Sequence, residues 1–400
     1  MRQLHRGIKF PSLSSKLAGE RREWGWGYSL TCVIQTVNSR SDNNIEASRP
    51  IMVRTLRSVT THRHPTVRAP ASLLYNNLSF VEEHSLLVYT SRRDCVIVNT
   101  ETNQAHLLPI GSMENEMILQ CSAIHAPGAE DGMEPQVLIL ITMHKTTQLW
   151  TANKPISLVS HGGVHGEGSC GGLAASAGGG AHVIMGTSKG VVMFAEYCGG
   201  AAPMKDEADQ DAATSSSIFR VASAVKGHKE RAVTAAQISR FPDSELLAVS
   251  GDAAGQLLLW SRDQQPLVSI STLECVTAVQ IVSGGDFVVA ASGAGRLLVL
   301  DSHTGSTCID VCAHSRWIHN LSFNAACNMI LSAAEDGYVT VWALPSDKKQ
   351  SIVDFRPAVM HHTPHSLPTG AAISADGSTV FVTIYDVDGV NQYTVTADRE

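Results

Sequence analysis

The chain has 400 residues, 44% apolar and 17% charged, with a net charge of −7. Those values describe a folded globular protein large enough to need no disulfide or metal staple, and they exclude collagenous and disulfide-scaffold classes. The longest largely apolar run, residues 137–143, falls well short of the ~18 residues a membrane helix needs.

Charge is unevenly placed. Residues 1–70 carry twelve Lys/Arg against four Asp/Glu, so the remainder is strongly acidic and unsuited to nucleic-acid phosphates. In the basic head, Arg2, Arg6, Lys9, Lys16, Arg21 and Arg22 interleave with Ser and Gly, as in an organellar targeting peptide. Pro11, Gly19, Gly25 and Gly27 interrupt any amphipathic helical stripe there. Residues 1–51 are therefore read as a poorly ordered basic extension, with Met52 a sufficient start for the protein. The nine cysteines include no CxxC pair, which reads as reduced, buried thiols in a cytoplasmic protein.

From residue 71 the texture changes to short Val/Ile/Leu runs separated by Gly, Asp, Asn and Ser. Leu86 to Thr90, Val137 to Ile141, Val191 to Phe194 and Leu246 to Ser250 are typical; Leu297 to Leu300, Val339 to Trp342 and Val380 to Ile384 continue the series. Capped helical stripes are absent, so the body reads as all-β. The strands recur: Trp260, Leu300 and Trp342 end similar segments at spacings of 40 and 42, and Trp150 and Phe194 fit at 44. Four strands per unit at that period is the signature of propeller blades, since one twisted sheet cannot bury both faces alone. Seven units end near Val98, Trp150, Phe194, Trp260, Leu300, Trp342 and Tyr393. A ring of seven must close its last blade with a strand from the other chain end, here within residues 51–70. The propeller is thus expected over 52–398, with an acidic, disordered insert loop at 199–217 that contains Asp206, Glu207, Asp209 and Asp211.

The sixth unit carries Ala313-His314, Ile318, Ser332, Asp336-Gly337 and Val341-Trp342, and with these residues the chain resembles the WD-repeat family. The resemblance implies a seven-bladed WD-repeat β-propeller in which His314, Ser332, Asp336 and Trp342 form a hydrogen-bonded structural tetrad. A buried indole N–H needs an acceptor, and a His–Asp pair locks the loop against the turn. The fourth unit keeps Gly227-His228 and Trp260. Counting back from Trp260, however, puts Ala254 where Asp belongs and Asp252 two residues early, so no tetrad is assigned there. The fifth unit has Leu300 for Trp and Ala294 for Asp, and no tetrad is expected in it.

Catalytic patterns are weak. Gly168-Ser169-Cys170-Gly171-Gly172 has the spacing of a nucleophile elbow but sits in a glycine-rich stretch with no helix after it. Gly186-Thr187-Ser188-Lys189-Gly190 has phosphate-loop residues in the wrong order. His361, His362 and His365 are interrupted by Pro364, and Cys308, Cys312 and His314 span too far along an extended chain to share an ion. No catalytic residue, metal or cofactor is expected. What remains is a stiff disc with variable loops, suited to binding other proteins as a scaffold, with no nucleic-acid partner and a ring complete as a monomer. Candidate protein-binding residues are Arg316 and Trp317, just before Ile318, and Lys229, Glu230 and Arg231 in the matching loop of the fourth unit. The alternatives are a propeller subunit of a membrane-trafficking or ciliary/flagellar complex, or a propeller enzyme.

Overall fold

The computed structural model describes residues 34–35 and 54–397, apart from 109, 111–115, 127–135, 144–145, 153–156, 164–172, 177–181, 198–218, 273 and 345–354. All of these lie in the compact unit Val33–Glu400. The basic extension, except Ile34–Gln35, and the acidic insert fall outside the described residues, as does the glycine-rich stretch around Cys170.

Seven four-stranded antiparallel meanders make a β-propeller. In chain order the blades occupy 79–108, 118–163, 173–226, 233–271, 276–312, 318–362 and 368–397. The last obtains its fourth, outermost strand from the N-terminal side: Arg54–His62 runs antiparallel to Val390–Ala397, with His62 opposite Val390 and Arg54 opposite Ala397. Ile34–Gln35 adds a short edge to the outermost strand of blade 5. Val98, Trp150, Phe194, Trp260, Leu300, Trp342 and Tyr393 all stand on the third strand of their blades.

Burial follows strand position. Each middle strand is sandwiched between neighbouring blades, so both of its faces are covered and its sequence is continuously apolar rather than alternating. The third strand of blade 4, Gln256–Ser261, is buried from Leu257 to Ser261. The outermost strand of the same blade, Pro266–Ser271, has one face in solvent and alternates instead. The core is accordingly a set of layers between blades. Ala235, Val249 and Leu259 of blade 4 pack with Val276, Val288 and Leu300 of blade 5. Ile184, Val192 and Phe194 of blade 3 pack with Val233 and Trp260 of blade 4.

Side-chain amides stitch the inner strands together where backbone pairing cannot. Asn320 of blade 6 accepts from the Ala371 N–H (2.8 Å) and donates to its carbonyl (3.3 Å) in blade 7. Gln280 donates to Leu321 O (2.9 Å), and Asn324 donates to Ile373 O (3.0 Å). Asn76 and Asn77, which lead into blade 1, bond to blades 6 and 7 through Leu321 N, His319 O and Thr369 O. Buried backbone groups exposed by the wedge between blades are satisfied this way.

The six described cysteines are free thiols. Cys95 and Cys121 are buried with their sulfurs 3.3 Å apart, and that contact together with burial holds the Cys95 thiol well above the ordinary range. Cys275, Cys308 and Cys327 are only half-buried and Cys312 is exposed, which corrects the expectation of uniformly buried thiols: all four lie on outer strands or loops, where one side faces water.

Candidate functional site

Two sets of loops project from one face of the disc: those joining an outermost strand to the next blade, and the turns between second and third strands. This is the mouth face, because the inner strands begin there around the central channel. Its loops are held by two buried hydrogen-bonded chains.

In blade 6, the Trp342 indole N–H donates to Ser332 Oγ (2.9 Å), Ser332 Oγ lies 2.8 Å from His314 Nε2, and His314 Nδ1 lies 3.1 Å from Asp336. One proton arrangement satisfies all of it: the Ser hydroxyl donates to Nε2 and the Nδ1–H donates to the carboxylate. Burial works against the Asp336 carboxylate, but His314 and the N–H groups of Ser315 and Tyr338 outweigh it and hold the carboxyl below its usual 3.8. Trp342 also stacks flat on Phe355, ring centres 5.1 Å apart.

Blade 4 contains the same chain, contrary to the spacing argument. Trp260 donates to Ser250 Oγ (2.9 Å), which lies 2.7 Å from His228 Nε2, and His228 Nδ1 is 3.1 Å from Asp252. The reason is local. Asp252 and Asp336 occupy the first and third positions of equivalent turns, each ended by a glycine of positive φ, Gly255 and Gly337. A turn this tight brings both positions near the same histidine. Asp252 also accepts from Ala254 N and Gln256 N, both at 2.9 Å, so it braces its own turn. Burial pushes the His228 imidazole below its ordinary 6.5, against the pull of Asp252. Gly227 is small because its neighbours are the Trp260 indole and Leu258. Each histidine is also fixed from the preceding blade: His314 N donates to Gly295 O and His228 N to Gly190 O. Gly295 has φ +80°, and a Cβ there would strike the His314 carbonyl.

Blade 5 has neither chain. Leu300 fills the tryptophan position, fully buried, and Ser292 donates to Glu274 (2.7 Å), which also pairs with Arg296. Arg296 in turn holds Asp310 on the outermost strand.

The channel itself is polar through its middle, a cavity of about 340 Å³ lined by side chains such as Gln120, Gln237, Gln280 and Asn320. Where the inner strands begin, it opens into an apolar mouth of about 380 Å³ framed by Leu73, Leu74, Tyr75 and Leu119, with Thr234, His319 and Glu335 at its edge. Burial pushes the Tyr75 phenol up to about 12, and its ring lies 5.6 Å from that of His319. Both nitrogens of His319 are engaged, Nδ1 with Pro368 O (3.0 Å) and Nε2 with Glu335 (3.2 Å). Sequence reasoning missed this mouth, although an apolar triplet between Pro70 and Asn76-Asn77, outside any strand, was the signal for it.

The residues singled out from sequence are distributed around the mouth. Trp317 lies with one ring face over Gly293 of blade 5 and keeps 41% of its surface exposed, so it both packs against a neighbouring blade and faces solvent. Arg316 beside it is exposed, as are Lys229, Glu230 and Arg231. Lys229 and Glu230 hold left-handed backbone, φ 46° and 64°. His361 packs on Tyr393 and His362 stacks on Tyr338, and among the described residues no three ligating side chains cluster. Also among the described residues, no helix is long and apolar enough to cross a membrane.

The chain is therefore a seven-bladed β-propeller whose second-to-third-strand turns and interblade loops surround one apolar mouth. No protein-family model matches it, and no curated protein matches it in sequence. Among solved structures it is similar to a chain of a "Crystal Structure of Mitotic Checkpoint Complex", with a TM-score of 0.61 and 14% identity over 91% of this chain and 99% of that one. At that identity the likeness concerns the fold alone.

Proposed function

We propose that this protein is a non-catalytic interaction scaffold of the WD-repeat kind, working in the cytoplasm and binding other proteins through its mouth face. One observation carries the reading. Among the described residues eight large hydrophobic side chains are exposed, and six of them, Val67, Leu73, Met117, Trp317, Tyr385 and Val387, lie in mouth-face loops. The other two, Val59 and Leu267, are on outermost strands at the rim. Clustered apolar exposure on a rigid frame marks an interaction surface, whereas scattered exposure is ordinary. The absence of a catalytic role is supported by the mouth: its histidine has both nitrogens committed and its walls are apolar. The structural likeness to a subunit of a multi-protein complex agrees with protein partners by analogy.

Within the WD-repeat family, the residues Asn76-Asn77-Leu78-Ser79, Ala313-His314, Leu331-Ser332-Ala333-Ala334-Glu335-Asp336, Ile384-Tyr385-Asp386-Val387 and Tyr393 resemble WD repeat-containing protein 54. Asn76-Asn77, Ala313-His314, Glu335-Asp336 and Tyr385 to Val387 all stand in mouth-face loops, which is where kinship in partner choice would be recorded.

The test is affinity capture with mass spectrometry, comparing the chain with its Trp317→Ala and Leu73→Asp variants. The expected result is a small set of proteins retained by the parent and lost from both variants, all three having the same melting temperature. Identical capture by all three would remove the mouth face as the binding surface.

A further inference from the structure

The two faces of the disc differ in charge as well as in apolar exposure. On the rear face, the turns between first and second strands carry Glu82, Glu83, Asp243, Glu245, Asp286 and Asp376. Of the cations there, Arg262 donates to the carbonyls of Ser244 (2.8 Å) and Phe241 (2.7 Å), Arg240 lies in the channel near Glu83, and Arg356 starts the outermost strand of blade 6 at the rim.

On the mouth face the situation is reversed. Several of its carboxylates are committed within the fold: Glu335 to His319, Glu274 to Ser292 and Arg296, and Asp388 to the Ala69 N–H (2.7 Å). Its cations Lys229, Arg231 and Arg316 stand exposed and form no ion pair among the described residues. Their positions matter. The Lys229–Arg231 loop leads directly into Val233–Ile238, whose second residue, Thr234, edges the mouth. Arg316 and Trp317 lead into Ile318–Asn324, whose second residue, His319, does the same. With Glu230 the one carboxylate between them, these three exposed cations therefore leave a local excess of positive charge beside an apolar cavity, in a chain whose overall charge is −7.

We infer that the mouth face takes an acidic protein segment bearing an aliphatic or aromatic anchor. The anchor enters the cavity framed by Leu73, Leu74, Tyr75 and Leu119, and carboxylates on either side meet Lys229, Arg231 and Arg316. This rests on the scaffold reading and adds the chemistry of the partner. The anchor supplies most of the affinity, because fully desolvated apolar contacts at the centre of an interface dominate binding. The rim charges set association rate and select against basic competitors. A nucleic acid fits less well: further cations, Arg63, Arg68, Arg92, Arg93 and Lys189, stand in other loops of this face, but its centre is an apolar cavity that offers phosphates no partner.

The experiment is a selection from a random-peptide display library on the purified full-length chain, followed by fluorescence anisotropy with the selected peptides. The expected outcome is enrichment of Asp and Glu around a Leu, Phe or Trp. The charge-reversed triple variant K229E/R231E/R316E should bind those peptides about tenfold or more weakly, with a steep salt dependence in the parent and an unchanged melting temperature in the variant. Leu73→Asp should lose them as well. Enrichment of neutral or basic peptides that still depend on Leu73 and Trp317 overturns the acidic-partner inference while leaving the scaffold reading intact. Absence of any enriched peptide removes both. Tighter binding of single-stranded oligouridine than of any selected peptide overturns the choice of a protein partner.

Discussion

Blades 5 and 6 stand side by side and solve one problem in two ways. Each must fix the loop that enters it from the preceding blade. Blade 6 uses a buried, fully satisfied chain from Trp342 through Ser332 and His314 to Asp336. Blade 5 fills the tryptophan position with Leu300 and ties its buried Ser292 outward to the half-exposed set Glu274, Arg296 and Asp310. Both blades have the same four-strand meander and both end their turn with a positive-φ glycine, Gly295 or Gly337. The architecture thus depends on packed middle strands and glycine turns. The polar chain is a device for rigidifying particular loops, and it holds the loops that carry Arg316, Trp317, Lys229 and Arg231.

Substitution separates the two solutions. Trp342→Ala should give the largest loss, about 3–5 kcal/mol in urea unfolding, since it opens a cavity against Phe355 and leaves Ser332 without its donor. Leu300→Ala should fall toward the lower end of about 2–5 kcal/mol, because no polar group is orphaned. Equal losses would mean that packing alone decides both blades. Asp336→Ala and Asp252→Ala should each lower stability by about 1–3 kcal/mol, as a buried histidine loses its acceptor. If Asp252→Ala leaves the unfolding midpoint unmoved, blade 4 belongs with blade 5 in energetic terms despite its geometry.

Acid should separate them too. The His228 imidazole is held below its ordinary 6.5 in the folded state, so the unfolded chain binds the proton more readily. Its contribution is present in full above 6.5 and is lost as the pH falls from there through the lower folded value. Asp336 behaves alike further down, its contribution fading below 3.8. Urea midpoints measured across this range should fall in the parent and flatten near pH 6 in His228→Gln. The smallest effect should come from blade 5: Arg296→Met changes a partly exposed ion-paired group and should alter stability by under about 1 kcal/mol.

Much of the fold was legible because its signal is repeated. Residues such as Trp150, Trp260 and Tyr393 mark third strands through a spacing that survives the loss of any one motif. The polar chain in blade 4 was not legible by the same arithmetic. Counting back from Trp260 assumes one residue position for the acid, whereas a tight turn presents two positions to one histidine. The mouth was less legible still. Leu73, Leu74 and Tyr75 are visible as an apolar triplet, but their convergence with Leu119 and His319 depends on ring closure, which joins segments far apart in the chain. Trp317 was readable as a surface aromatic, yet its seat on Gly293 belongs to the neighbouring blade and has no trace in local sequence.

Ring closure has a consequence for how the molecule is made. Thr55 meets Thr396 across 341 positions of chain, so the first of these strands leaves the ribosome long before its partner exists. At a synthesis rate of about 5–20 residues per second, Arg54–His62 waits tens of seconds as an unpaired strand edge. Its composition suits that delay: Arg54, Arg57 and a run of Ser and Thr discourage pairing with other chains, as charged and polar edges do. Six blades can stack on one another as they are translated, but the ring locks only when Val390–Ala397 arrives, making the slowest contact to form the one that completes the disc.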